Sequence, residues 1–295
     1  MFVSAVAVAV WLARDQLTQI RGPALLAALR ATPVSAIALS VLFTALSYGC
    51  LALVEWQALK VIGRPQPPWR TATASLASNA ISIVIGFGVL SGAAVRLRTY
   101  AFAKLKSGEI ARLVILMQAA TFIAGLVTEG LGLLPALPGP VSSSMGWARP
   151  AAAIVLVAPA ALWFILFRSS SIKGVKPLNM AERMLALLAG LGDWGFSGAA
   201  LFVLSPHDPA AFISFLTIFC LASLMGAAVG APGGIGILEA VVLGSQARSN
   251  THETAAALIL YRMIYFIAPA LLTLIAGAAA HGGKLMSRLA SRRAS

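Results

Sequence analysis

The feature that most constrains this chain is a succession of apolar runs as long as a lipid bilayer is thick. An α-helix needs about 20 predominantly apolar residues to cross the hydrocarbon core of a bilayer. Runs at 33–55, 107–134, 181–204 and 255–279 reach that length, and only 11% of the 295 residues are charged. Soluble domains carry about 25% charged residues. The sequence therefore predicts an all-α polytopic integral membrane protein with about six to eight membrane helices.

The positive charge of the chain lies between the apolar runs. The formal net charge is +13, and the basic residues cluster at 60–70, 96–106, 168–183 and 281–295, whereas the loops at 135–150, 205–209 and 245–254 are nearly neutral. Cytoplasmic loops of membrane proteins carry such an excess of Lys and Arg. We therefore expect the basic loops and the C-terminal tail in the cytoplasm, and no nucleic-acid partner.

Two glycine-rich stretches interrupt the apolar pattern. Residues 86–92 read GFGVLSG, and residues 230–240 read GAPGGIGILEA. Glycine and proline break the helical hydrogen-bond ladder and free backbone polar groups. Such groups are tolerated at membrane depth only where protein or a water-filled cavity covers them. Each stretch is thus either a tight turn between packed helices or part of a functional site, and Glu239 in the second stretch favours the site.

The charge pattern and the breaks together predict two re-entrant hairpins. If all basic loops are cytoplasmic, 71–95 must enter and return on the inner side. By the same reasoning, 210–244 must leave from and return to the outer side, either as a re-entrant hairpin or as two crossing segments. The order span, broken hairpin, span then occurs twice in opposite orientation, which is the pattern of an inverted-repeat transporter.

This pattern divides a single transmembrane domain into five parts. They are a short first helix with an interfacial segment (1–31), the first repeat (33–134), a linking helix (151–167), the second repeat (181–280) and a basic cytoplasmic tail (281–295).

Four charged residues near the breaks are the main candidates for substrate binding. Arg96 and Arg98 follow the first break, and either clamp a phosphate through bidentate contacts or anchor the topology at the membrane surface. Glu239 and Arg262 are expected to pair across the second broken hairpin, as a binding site or as a purely structural pair.

Three further polar residues lie within the spans. Asp193 is deep in its run, beside Gly192 and Trp194, and is a candidate for contact with a proton or a cation. Glu129 is near the outer end of its run, where its carboxylate could reach headgroup water. Asn79 is a candidate for satisfying backbone groups freed near the first break.

The sequence indicates no cofactor and no metal. Cys50 and Cys220 lie inside apolar runs without metal-ligand spacing, and the three histidines form no HExxH-like pair. There is no GxxxxGK[ST] motif for ATP, and the glycines at 234–236 lack the βαβ unit of a dinucleotide site.

Three segments resemble a known family. Residues 86–100 (GFGVLSGAAVRLRTY), 232–239 (PGGIGILE) and 260–266 (LYRMIYF) are similar to the MprF family. The likeness is to the N-terminal transmembrane flippase region of lysylphosphatidylglycerol synthase/flippase proteins and to stand-alone YbhN-like relatives, and it runs from about residue 33 to 280. The resemblance implies movement of an aminoacylated phospholipid between leaflets of the bacterial inner membrane. The synthase activity belongs to a soluble domain that this sequence does not contain, so no enzymatic activity is expected of it. The sequence is either a stand-alone relative or a fragment.

The expected function is therefore translocation of an anionic or aminoacylated phospholipid, with phosphatidylglycerol or an aminoacyl derivative as the ligand. In this reading the arginines attract the phosphate, and Glu239 and Asp193 offset the amine. The alternative is an ion-coupled small-solute permease of similar architecture. A lipid-modifying enzyme would need a convergent nucleophile or metal set, which is not found at recognisable spacing. Whether the protein forms a homo-oligomer is left open.

Overall fold

The structure, a computed structural model, is built from helices. It describes residues 22–85, 88–136, 148–167, 178–206, 208–229, 236–245 and 251–279, and these contain no β-strand. The helices are α1 (Gly22–Ala31), α2 (Val34–Val61), α3 (Pro68–Ile85), α4 (Gly88–Thr99), α5 (Ser107–Ala136), α6 (Ala148–Leu166), α7 (Met180–Phe202), α8 (Phe212–Val229), α9 (Ile237–Gly244) and α10 (Thr251–Tyr261). Helix α10 continues through a π-helical segment, Arg262–Ile267, to residue 279.

Among the described residues, five helices are long and apolar enough to cross a membrane. They are Val34–Val61, Ser107–Leu133, Met180–Phe202, Pro209–Ala228 and Thr251–Ala279. Shorter apolar helices accompany them, among them α1. The predicted class, an all-α polytopic membrane protein, is confirmed.

Helices α2 and α7 pack antiparallel, with contacts from Phe43 to Lys60 on α2. The rings of Phe43 and Phe196 stack at 6.2 Å, Ser47 bonds to Asp193 near the middle, and Lys60 pairs with Glu182 at 2.9 Å. The residue numbers of the contacting side chains decrease along α7 as they increase along α2, so the two helices point in opposite directions. These are the first spans of the two predicted repeats, and an inverted repeat requires this relation.

Helices α3 and α4 form an antiparallel hairpin around the first glycine break. Asn79 on α3 contacts Arg96 on α4, and a Cβ on Gly92 would lie 3.0 Å from Oγ of Ser82. The tip, residues 86–87, lies outside the described residues.

Both ends of this first hairpin lie on one side of the bundle. Nη2 of Arg64, which precedes α3, donates to the carbonyl oxygens of Ala103 and Lys104, which follow α4, at 3.0 Å each. Arg64 also pairs with Glu109 at 3.5 Å. We call this the basic side; it also holds the Lys60–Glu182 pair. Both ends of the hairpin are therefore on one side of the bundle, as a re-entrant hairpin requires.

The opposite side, which we call the neutral side, holds both ends of the second broken region. One cavity of about 580 Å³ is lined by Pro33 before α2, Leu204 after α7, and His252 and Glu253 at the start of α10. The chain thus leaves α7 and begins α10 on the same side.

The second hairpin is asymmetric. Helix α8 belongs to a segment, Pro209–Ala228, that is long enough to cross a membrane, whereas α9 has eight residues and spans only about 12 Å. The prediction left open a re-entrant hairpin or two crossing segments; the described residues show a full-length helix followed by a short one. Residues 230–235 of the glycine-rich motif lie outside the described residues.

Contacts between helices follow the pattern that the predicted repeat requires. Exchanging α2, α3, α4 and α5 for α7, α8, α9 and α10 converts α2–α3, α3–α4 and α4–α5 into α7–α8, α8–α9 and α9–α10, and all six contacts are present. The contact α5–α8 becomes the contact of the π segment with α3, which is also present. The boundaries of the predicted parts stay a prediction.

Glycine allows close approach of α5 and α6. A Cβ on Gly130 would lie 2.9 Å from the backbone N and Cα of Leu156, closer than atoms can approach without movement. Small residues at such contacts let membrane helices approach each other.

We expect Gly130→Ala to destabilise the protein, because the methyl group meets backbone that cannot rotate away. Overpacking costs about 1–3 kcal/mol. Gly195→Ala on α7 is the matched control: a Cβ there has nothing within 4 Å, and alanine favours the helix. Thermal unfolding in detergent measures both variants; equal midpoints would contradict the packing.

The topology is checked by labelling single cysteines with a membrane-impermeant maleimide in a background without Cys50 and Cys220. Pro65→Cys and Ser107→Cys, both exposed on the basic side, are expected to react from one side of the membrane, and Ala210→Cys from the other. Labelling of residues 65 and 107 from opposite sides would show that α3 and α4 do not form a re-entrant hairpin.

Candidate functional site

A polar face runs along the otherwise apolar helix α2. Ser40, Thr44, Ser47 and Glu55 recur at helical spacing, so they lie on one side of the helix. All four are buried. Polar groups buried at membrane depth are costly unless they find partners, so this face marks where the bundle holds polar chemistry.

The centre of this face holds a hydrogen-bonded cluster of Ser47, Tyr48, Asp193 and Tyr265, which we call the Asp193 cluster. Ser47 Oγ donates to Oδ1 of Asp193 and lies 2.7 Å from the hydroxyl of Tyr265. The hydroxyl of Tyr48 donates to the backbone carbonyl of Tyr265 at 3.1 Å. Ser47 is at the midpoint of α2, so the cluster lies near the middle of the bundle.

The π segment of α10 places Tyr265 in this cluster. A π-helical turn contains an extra residue and commonly occurs at functional sites. Tyr265 stacks on Tyr261 at 5.1 Å, and its ring lies 5.6 Å from that of Tyr48. The aromatic packing holds the phenol of Tyr265 against Ser47.

A second cluster contains a buried ion pair between α2 and α4. Arg96 donates to Glu55 in a bidentate contact, from Nε at 3.0 Å and from Nη2 at 2.8 Å. The hydroxyl of Tyr100 donates to the same carboxylate at 3.0 Å. Glu55 and Tyr100 are fully buried, and Arg96 is 3% exposed. Bidentate geometry and extra hydrogen bonds are what make a buried ion pair tolerable.

The first glycine break makes room for this pair. A Cβ on Gly92 would lie 3.0 Å from Nη1 of Arg96 and 3.0 Å from Oγ of Ser82. The absent side chain therefore lets the guanidinium lie between α3 and α4.

The two predicted phosphate-binding arginines have different environments. Arg96 uses both Nε and Nη2 on Glu55, so a bidentate phosphate contact through that edge would need the pair to open. Arg98 is exposed. Helix α2 continues past the apolar run at 33–55 to Val61, and the side chains of Glu55 and Gln57 are fully buried.

The expected contact between Glu239 and Arg262 is present. Arg262 donates from Nε to Glu239 Oε1, and the other carboxylate oxygen accepts from the backbone N–H of Gly236 at 2.8 Å. Gly236 has φ of 86°, a conformation that favours glycine. The side chains of Glu239 and Arg262 are 26% and 22% exposed, so this pair is accessible where the Glu55–Arg96 pair is not. Whether it binds substrate stays a prediction.

Glu129 and Asn79 are the two weaker candidates for the site. Glu129 is 8% exposed, and its Oε2 has no hydrogen-bond partner among the described residues, so it lies inside the bundle and not at an open helix end. Asn79 accepts from Arg96 at 3.3 Å and donates to Ser75 at 3.0 Å. Its amide thus bonds to two side chains, and its role toward backbone groups freed at the first break, whose tip lies outside the described residues, stays a prediction.

The clusters lie at successive depths. Glu55 is eight residues after Ser47 on α2, or about 12 Å nearer the basic side. Arg262 lies between Tyr265 and the start of α10 on the neutral side. From the basic to the neutral side the order is therefore Glu55–Arg96, Asp193 cluster, Glu239–Arg262.

Sequence reasoning missed several members of these clusters, among them Ser47, Glu55, Tyr100 and Tyr265. The helical spacing of polar residues in α2 was a usable signal for the first two. The two tyrosines carry no signal in the sequence, because a tyrosine in an apolar run more often packs against its neighbours than takes part in a functional site.

The amino-acid sequence is similar to those of several known proteins. No protein-family model matches the chain. An uncharacterized Synechocystis protein is 27% identical over 242 residues, or 76% of this chain and 73% of that protein. The inner membrane protein YbhN of Escherichia coli is 31% identical over 129 residues, or 41% of this chain and 40% of YbhN.

A third relative is a phosphatidylglycerol lysyltransferase from Staphylococcus xylosus. It is 28% identical over 214 residues, which are 67% of this chain and 24% of the lysyltransferase. These similarities support a membrane family related to YbhN and the lysyltransferase, and a multi-pass membrane protein.

The Glu55–Arg96 pair is expected to stabilise the folded protein. Removing one partner leaves an uncompensated buried charge, which costs about 3–5 kcal/mol. Glu55→Gln or Arg96→Met alone should therefore lower the unfolding midpoint far more than the double variant Glu55→Gln/Arg96→Met. Lys60→Met, which opens a partly exposed pair, should cost at most about 1 kcal/mol. Additive effects of the two single changes would contradict coupling.

Proposed function

We propose that this chain translocates an anionic or aminoacylated phospholipid between the leaflets of a bacterial inner membrane, with its basic side in the cytoplasm. The observation that carries the proposal is the placement of polar clusters at three depths between hairpins that enter from opposite sides. A headgroup crossing a bilayer needs such a path, because every unsatisfied polar group in hydrocarbon costs several kcal/mol.

The substrate class follows from the charges along the path. A phosphate is recognised by arginine in bidentate fashion, and an ammonium by a carboxylate. The Glu239–Arg262 pair offers one of each, and both side chains are partly exposed. An aminoacylated phospholipid carries both complementary charges, so it can replace the internal pair with two new contacts. The similarity to a phosphatidylglycerol lysyltransferase supports the same lipid class.

The acyl chains need no polar path. Large apolar side chains on α2, α6 and α10 are exposed on the outside of the bundle, among them Val41, Ile165 and Leu272. In the proposal the chains remain in the surrounding lipid while the headgroup follows the clusters. The proposal concerns translocation alone and assigns no lipid synthesis to this chain.

An ion-coupled permease for small solutes is the second candidate. The observation that favours it is Asp193, a buried carboxylate whose described hydrogen-bond partner is the hydroxyl of Ser47, as suits an ion-binding group. Thermal stabilisation of the detergent-solubilised protein separates the candidates: phosphatidylglycerol and its lysyl derivative should raise the unfolding midpoint if the substrate is a lipid, and soluble amines or organic anions if it is a solute.

Translocation is tested in proteoliposomes with a panel of fluorescent phospholipids that differ in headgroup. Glu239→Gln and Arg98→Ala should each lower the rate at least about tenfold, since a hydrogen bond to a charged group is worth about 1.5–3 kcal/mol. Arg112→Ala, an exposed arginine on α5, is the matched control and should leave the rate unchanged. Wild-type rates in both site variants would remove the assignment, and wild-type rates equal to those of empty vesicles for every headgroup would remove the function.

A further inference from the structure

The three acidic groups of the clusters differ in what they face. Glu55 and Glu239 each pair with an arginine. Asp193 is also buried, but it accepts from the Ser47 hydroxyl, and no ion-pair partner is present among the described residues. A permanent negative charge with only hydroxyl partners is expensive at membrane depth, whereas a carboxyl that takes up a proton there is not.

Among the described residues, five titratable groups that are uncharged in their ordinary protonation states interact with Asp193. They are Tyr48 and Cys50 on α2, Tyr261 and Tyr265 on α10, and Cys220 on α8. Two charged groups interact with members of this set: Glu129 on α5 with Cys220, and Arg262 with Tyr261. Arg262 is itself held by Glu239.

The hydroxyl partners suit both protonation states of the carboxyl. With Asp193 ionised, the Tyr265 hydroxyl can donate to Ser47, and Ser47 donates to Asp193. When a proton adds to a carboxylate oxygen, the new O–H donates to Ser47, and the Ser47 hydrogen turns toward Tyr265. Hydroxyls both donate and accept, so the cluster keeps its hydrogen bonds in either state.

A path leads to Asp193 from the neutral side. Thr44 and Ser40 continue the polar face of α2 from Ser47 toward that side, about 4.5 Å and 10.5 Å along the helix. Both hydroxyls are buried and have no hydrogen-bond partner among the described residues. Buried polar atoms of this kind ordinarily bond to internal water.

The path does not continue equally toward the basic side. The next positions of the same face are Leu51, which is apolar and buried, and Glu55, which is held by Arg96 and Tyr100. Along this face of α2, hydroxyl side chains therefore lead to Asp193 from the neutral side.

We propose that Asp193 is a proton-binding site that couples transport to proton movement from the neutral side, with Ser47 and Tyr265 as its hydrogen-bonding partners and Thr44 and Ser40 as its hydrated access path. Protonation on one side and release on the other would drive transport without ATP. The coupling rests on the proposed function; the proton-binding site itself does not.

Proton binding is measured without any transport substrate. The full chain is reconstituted in lipid, and infrared difference spectra are recorded between mildly acidic and mildly alkaline buffer. Wild-type protein should show a protonated-carboxyl band that Asp193→Asn lacks and that Asp208→Asn keeps, because Asp208 is an exposed cap residue. Glu129→Gln identifies the contribution of the other buried acid. Identical carboxyl bands in wild type and Asp193→Asn would overturn the proposal.

Coupling is measured in proteoliposomes with the membrane potential clamped and a pH gradient of either sign. One proton per lipid should shift the leaflet ratio of a fluorescent phospholipid about tenfold per pH unit, because one unit corresponds to 1.36 kcal/mol. Asp193→Asn should show no such shift, and Thr44→Val should slow the response while Thr273→Val does not.

The outcomes separate the two proposals. Lipid exchange that ignores the gradient in wild type would overturn coupling and leave translocation standing. An Asp193-dependent carboxyl band without lipid exchange would support the proton site and remove the lipid substrate. Monodisperse elution and an unfolding midpoint close to that of wild type show that Asp193→Asn is folded.

Discussion

The antiparallel contact between α2 and α7 is the interaction on which the rest of this structure depends. It buries the polar face of α2, and it brings Ser47 and Asp193 together at mid-depth. Both helices are otherwise apolar, so water does not drive them together inside a bilayer; close packing and hydrogen bonds between helices do so instead. The hairpins, the π segment and the ion pairs are arranged around this contact, which joins the two predicted repeats from the basic side to the middle.

The acidic groups of the three clusters differ in their partners and in their exposure. A bidentate arginine and a phenol surround Glu55, so opening that pair exposes an uncompensated charge in a medium that does not solvate it. The Glu239–Arg262 pair has the same two side-chain types but is partly exposed. Asp193 accepts from a serine hydroxyl and has no ion-pair partner among the described residues, and neutralisation by a proton is the least costly state open to it. Similar side chains thus serve different purposes because their exposure and partners differ.

Sequence reasoning predicted the fold class and the Glu239–Arg262 contact, because bilayer length and glycine breaks leave local marks in the sequence. It missed the Glu55–Arg96 pair, since nothing near Glu55 in sequence shows that a guanidinium 41 residues later will reach it. It did not anticipate the burial of Glu55 and Glu129, because neighbouring helices decide the burial of an acid close to the end of an apolar run. It also did not anticipate the π segment, whose extra residue leaves no mark in the hydropathy pattern.

That extra residue has a geometric consequence for α10. One residue inserted into a 3.6-residue turn rotates everything downstream by about 100° relative to an uninterrupted helix. Before the insertion, α10 directs Tyr261 into the bundle; after it, Leu271, Leu272, Leu274 and Ile275 lie on the outside of the protein. Sliding the insertion along the helix by a single turn would twist one half of α10 against the other without bending its axis. Tyr265 lies near the centre of the segment. A rotation of this kind would therefore change the distance between its hydroxyl and Ser47.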